Sequence, residues 1–203
     1  MADSILNELR ERLKGAQEEF EAELDRRIEV QRQQFRYRLE QGKVRFEKEM
    51  RDWQARYRTG IWRYLTGARI AYLLTAPVIY ALIVPLAFLD LSVTIYQHIC
   101  FRVYGIDLVR RRDHVIIDRQ HLAYLNAIEK LNCIYCGYAN GVIAYAREIA
   151  GRTERFWCPI KHARRSADPH PLFESFLEYG DAEAYRAWME SYRRGKGNLK
   201  VRS

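Results

Sequence analysis

Four side chains in the C-terminal half have the types and spacing for metal chemistry: Cys133 and Cys136, with two residues between them, then Cys158 and His162. Two cysteines so spaced reach one ion from a tight turn, and Gly137 directly after them lets the backbone close around it. Three thiolates and an imidazole form a Cys3His set that suits tetrahedral zinc. The same soft donors accept a mononuclear iron or an iron–sulfur cluster, so zinc is the expected cofactor and iron the alternative. The clustering of three cysteines with a histidine favours a reducing compartment over structural disulfides. A redox-active Cys133 and Cys136 dithiol, or an unliganded set of core cysteines, are the other readings of these residues.

The turn Cys133-Ile134-Tyr135-Cys136-Gly137-Tyr138 resembles the metal knuckle of rubredoxins and zinc ribbons, and Cys158-Pro159 resembles the start of their second knuckle. His162 stands one place beyond the cysteine of that pattern, so the resemblance implies a metal and not a rubredoxin fold. The wider CIYCGYANG and WCPIKHARR segments are similar to those of uncharacterised bacterial membrane proteins. That resemblance implies a bacterial inner (cytoplasmic) membrane, with the soluble parts expected in the cytoplasm. Catalysis has no visible apparatus: the chain shows no Ser, His, Asp spacing of a triad, no glycine-rich phosphate loop and no carboxylate pair on a common face.

The elements that must position the four ligands read as mainly α. A short β-type run, His114 to Ile117, leads into a helix capped by Asp118, with Leu122, Leu125, Ile128 and Leu131 at helical spacing and a stop at Asn132. A turn at Asn140-Gly141 then starts a second helix to about Ala150. An apolar run, Leu172 to Tyr179, precedes a last helix from near Asp181 carrying Tyr185, Trp188, Met189 and Tyr192. His170, between two prolines, reads as a loop residue. Residues 105–192 are thus expected to form a small helical metal-binding domain, followed by a basic tail, 193–203.

Ahead of this domain lies the most apolar part of the chain, Ile70 to Phe101, whose only formal charge is Asp90. At about 1.5 Å of rise per residue, the uncharged residues 70–89 make roughly 30 Å of helix, the thickness of a bilayer's hydrocarbon core. Residues 67–104 are therefore expected to form a membrane anchor. Pro77 and Pro85 predict a kink or break, and arginines on both flanks favour a hairpin turning near Pro85 to Asp90 over a single span with an interfacial helix. Asp90, His98 and Cys100 are polar groups at membrane depth, open to an ion or haem contact or to a simple turn and interface role.

Residues 1–66 carry apolar side chains every eleven residues, Leu13, Leu24, Phe35, Phe46 and Tyr57 forming one row. That interval predicts one long amphipathic helix, interrupted at most near Gly15 and Gly42, that self-associates as a coiled coil or packs within the chain. Bases outnumber acids by 11 to 4 between Val30 and Arg69, against 5 to 9 from Met1 to Glu29. Juxtamembrane bases fit contact with anionic headgroups. The formal charge of +8 comes without a nucleic-acid-binding motif, so the expected partners are the lipid bilayer and a second copy of the chain or another coiled-coil protein, and not nucleic acid. These features predict a membrane-anchored structural or adaptor protein, with a membrane-associated redox component as the alternative.

Overall fold

A computed structural model describes residues 2–40 and 43–193; the basic tail from residue 194 onward lies outside them. The protein is mainly helical and divides into two compact units, Met1–Gly67 with Asp118–Leu131, and Ala68–Ile117 with Asn132–Ser203.

The first unit opens with α1, Ala2–Gln34. Pairs such as Arg12 with Glu8 (2.7 Å) and Arg27 with Glu23 (3.0 Å) link successive turns, each adding a few tenths of a kcal/mol, roughly, to an exposed helix. The helix does not continue to residue 66. Arg36 adopts a left-handed conformation (φ 47°), and strands β1, Tyr37–Glu40, and β2, Lys43–Phe46, pair antiparallel with Tyr37 opposite Phe46 and Leu39 opposite Val44. Period-two alternation of Tyr37 and Leu39 with Arg38 and Glu40 governs here, and it competes in the sequence with the eleven-residue match. Two short helices follow, α2, Lys48–Ala55, and α3, Ile61–Thr66. Gln54 is buried; its Oε1 accepts from the backbone N–H of Ala123 (3.1 Å), while Arg58 Nε donates to the Ala123 carbonyl (2.9 Å). These two bonds tie the 118–131 segment to the rest of the unit.

The second unit is built on one long helical run, α4, Ile70–Ala81, α5, Ile83–Tyr96, a π-turn, Gln97–Phe101, and α6, Arg102–Tyr104. Among the described residues it is the one helix long and apolar enough to cross a membrane, 35 residues of which the most apolar window is only 6% buried. The expected hairpin does not form. Pro85 sits in the first turn of α5, where a missing N–H costs no helical bond, and the break is confined to Leu82, which keeps helical dihedrals (φ −64°, ψ −13°). The run ends instead at Gly105 (φ 69°), with the Ile106 N–H donating to the Phe101 carbonyl (2.9 Å). That is a Schellman close, and Ile106 packs on the cluster around Phe101 as the motif requires.

The chain then turns back through α7, Arg111–His114, and later enters α8, Ala127–Trp157, which is continuous for 31 residues. Asn126, not Asp118, caps it. Asn126 Oδ1 accepts from the N–H groups of Ile128 and Glu129 (both 3.0 Å), and Glu129 Oε2 accepts from the Asn126 N–H (2.8 Å), a capping box. The expected stop at Asn132 and turn at Asn140-Gly141 are both interior to α8. Asn140 Nδ2 donates to the Cys136 carbonyl one turn back (2.9 Å), so its amide is satisfied inside the helix. The last helix, α9, Ala182–Arg193, starts where expected, with Asp181 Oδ1 accepting from the Ala184 N–H (2.8 Å).

Candidate functional site

The four residues expected to hold a metal are not brought together. Cys133 and Cys136 lie one turn apart within α8, and Cys158 follows the end of the same helix, its N–H donating to the Glu154 carbonyl (2.7 Å). At 1.5 Å per residue, Cys136 and Cys158 stand roughly 33 Å apart along α8, whereas zinc–thiolate bonds are about 2.3 Å long. One ion within one chain cannot bridge that gap. Among the described residues no group of three or more His, Cys, Asp or Glu side chains is placed to hold a metal ion. His162 stacks on Phe173 (centroids 6.0 Å apart), in a segment where Ile160 and Leu177 form a parallel bridge and Lys161 pairs with Glu178 (2.6 Å). Tightness of the CxxC turn is the premise that fails. The residues between and after the cysteines stay helical, so the pair lies on one flank of α8.

What the second unit assembles instead is a polar seam between the apolar run and α8. Its centre is Asp90, whose carboxylate accepts from Arg111 Nε (2.9 Å to Oδ1) and Nη2 (2.7 Å to Oδ2) and from the Tyr138 hydroxyl (3.1 Å). Two-point contact of a guanidinium with a carboxylate is the strongest ion-pair geometry side chains offer. Asp90 is only 9% exposed. The same contact raises Arg111 above its ordinary value, and burial, followed by the Asp90 hydrogen bond, pushes the Tyr138 phenol up.

Two turns further along, the buried Gln97 makes two bonds to Val109, accepting from its N–H (3.0 Å) and donating to its carbonyl (3.3 Å), and it also donates to the Tyr145 hydroxyl. Thr94 meets the same hydroxyl at 3.3 Å. Beyond it, Glu148 takes His114 (2.9 Å) and Arg152, and Arg152 also donates to the Asp107 carbonyl (2.7 Å). Tyr80 with Asn132, Tyr96 with Thr153 and the stacked rings of Tyr104 and Phe156 extend the series. Residue numbers rise together on both sides, from 80 with 132 to 104 with 156. The apolar run and α8 therefore lie side by side and parallel, with the returning segment 106–117 lodged between them.

Two glycines make that lodging possible. A Cβ on Gly141 would stand 2.6 Å from Val115 Cα and 2.8 Å from the His114 carbonyl oxygen; one on Gly137 would stand 2.8 Å from the Ile116 carbonyl oxygen. Gly137 and Gly141 are four residues apart, hence on one face of α8, and they form a groove that takes backbone directly. The pattern of small residues at i and i+4 is a packing signature. It was legible in the uncharged stretch Leu131 to Ala146, where metal-knuckle spacing obscures it.

Chemically the seam is a clamp. Asp90 spends its acceptors on Arg111 and Tyr138, and Gln97 spends both ends of its amide. Of the other polar groups at that depth, His98 Nδ1 donates to the Thr94 carbonyl of its own helix (2.8 Å). His170 is more than a loop residue, since its Nε2 meets Glu154 at 3.0 Å and its ring packs on Gly151 of α8. Arg111, Tyr138, Gln97 and Tyr145 carry no local motif; only the return of 106–117 onto α8 makes them partners. Comparison with protein families, with curated proteins and with solved structures finds no match for this chain.

Proposed function

We propose that this chain is a membrane-anchored structural or adaptor protein, inserted by the Ile70–Tyr104 run, held by the Asp90 seam and self-associating through α1. The carrying observation is the exposure of the apolar run. Ile70, Leu74, Val78, Val84 and Phe88 are each about seven-tenths exposed, a burden of bare apolar side chains that lipid would cover. On α1, Leu9, Leu13, Phe20, Leu24 and Ile28 also stand exposed along a charged helix, and a second copy of the arm or another helical protein would cover them. A bacterial cytoplasmic membrane is the proposed location.

The experiment is membrane fractionation of the full chain followed by alkaline carbonate extraction. Retention in the pellet until detergent is added is the expected result; release by carbonate would sink the anchor. Self-association is read separately by crosslinking in detergent, where Leu13→Lys with Leu24→Lys should abolish the crosslinked species and leave the pelleting unchanged.

A further inference from the structure

The first unit contains a cavity of about 370 Å³ whose walls include the aromatic rings of Phe35, Tyr37, Phe46, Trp53, Tyr57 and Tyr124 beside Gln54 and Leu122. Phe35, Phe46 and Tyr57 are successive members of the eleven-residue row, so the residues expected to stripe one helix converge on this space instead. Beside it, and sharing Tyr37, lies a cleft of about 540 Å³ that holds Arg32, Arg36 and Arg38 with Glu29 and Glu47. Arg32 bonds Glu29 through Nη1 (3.1 Å), but its Nε is buried with no partner. Arg36 meets Glu49 at 3.3 Å, and Arg38 meets Glu47 only at 3.7 Å. A buried donor left unpaired is costly unless something accepts from it.

We propose that the two spaces form one site for an anionic amphiphile, its acyl or aryl body in the aromatic cavity and its carboxylate or phosphate on Arg32 and Arg36. Six aromatic walls supply contact area for an apolar body, and the volume falls in the range of small-molecule pockets. Aromatic cages also take quaternary ammonium ions, but here the neighbouring charge has the wrong sign. The cleft sets Arg32, Arg36 and Arg38 against Glu29 and Glu47, and the pairs that hold Arg36 and Arg38 are long and exposed. A nucleotide base would also stack on the rings, but the arginine cleft beside them favours a ligand whose charge sits at the end of an apolar body.

The test uses the full chain in phosphatidylcholine nanodiscs with Trp62→Phe, Trp157→Phe and Trp188→Phe, leaving Trp53 as the sole indole. The probe is 9,10-dibromostearate, whose bromines quench an indole they touch. Saturable quenching is expected, with its methyl ester at least roughly tenfold weaker because it forfeits the charge-assisted bonds, and with Arg32→Gln plus Arg36→Gln losing a comparable factor for the acid. Brominated phosphatidylglycerol placed in the disc identifies the source. Quenching by it, and not by brominated phosphatidylcholine, assigns the occupant to the leaflet; quenching by the free acid alone assigns it to a soluble amphiphile. Equal quenching by acid and ester, or displacement of the acid by adenosine monophosphate, would overturn the proposal. Carbonate extraction does not depend on this site, so the two readings fail separately.

Discussion

Helices α1 and α8 are nearly equal in length, 33 and 31 residues, yet they are stabilised in opposite ways. Helix α1 has no buried side chain among those described and is held by its own ion pairs. Helix α8 buries Gly137, Gly141, Val142, Tyr145, Ile149 and Gly151 against the rest of its unit. Its glycines cost local helix propensity, about 1 kcal/mol each relative to alanine, and the fold recovers that through backbone contact no larger residue permits. Glycine therefore has different meanings in the two helices. A methyl group on Gly15 of α1 would have nothing within 4 Å, whereas one on Gly141 of α8 would press on main-chain atoms.

The strongest way to break this contrast is Gly141→Ala. Its methyl would meet Val115 Cα and the His114 carbonyl, neither of which can swing aside as a side-chain tip could. The expected loss is about 3 kcal/mol, the upper end for overpacking, read by denaturant unfolding of the detergent-solubilised chain. A variant as stable as the parent would mean that propensity governs α8 and that the groove is not close-packed.

Next in size is the clamp that the groove serves. Arg111→Ala strands the carboxylate of Asp90 and should cost about 2 kcal/mol, in the range for hydrogen bonds to charged groups. Asp90→Asn in the same background should cost much less than it does alone, because the two residues act as a unit. Additive losses in that double-mutant cycle would sink the clamp.

Gly15→Ala sharpens the contrast from the other side. With open space around the site, the substitution should add helix stability of at most about 1 kcal/mol, seen as a later loss of far-ultraviolet ellipticity from the arm on heating. Destabilisation here would reveal that α1 packs closely on a partner at Gly15.

The contrast also explains what the sequence could and could not disclose. The apolar run was legible because membrane insertion depends on length and composition, and Ile70 to Leu89 satisfies both without reference to any contact. The start of α9 was legible because Asp181 bonds the Ala184 N–H locally. Helix α8 was not. Asn132, Asn140 and Gly141 are turn formers by propensity, and the contacts that keep Gly141 helical come from His114 and Val115, some two dozen residues upstream. The four metal candidates lie apart because of that same misplaced turn, since CxxC spacing is equally compatible with a knuckle and with one face of a helix. The arm was legible as a helix up to Gln34. Beyond it, Tyr37, Leu39, Val44 and Phe46 obey the strand period, while Phe35, Phe46 and Tyr57 keep the helical one by coincidence of spacing.

The smallest predicted effect probes the link between α8 and Asp90. The Tyr138 phenol is raised above its ordinary value of 10.0, first by burial and then by its hydrogen bond to Asp90. A group whose folded-state value is raised holds its proton more tightly when folded, so its contribution is complete below about pH 10 and is lost as pH rises through the raised value. Unfolding free energies of the parent and of Tyr138→Phe, measured from pH 8 to pH 11, should therefore run parallel at first. Above about pH 10 the parent should fall towards the variant, by no more than about 1 kcal/mol for one neutral donor on a carboxylate that keeps Arg111. Curves parallel throughout would mean that Tyr138 ionises alike in both states, and that the hydroxyl of α8 is not held against the apolar run.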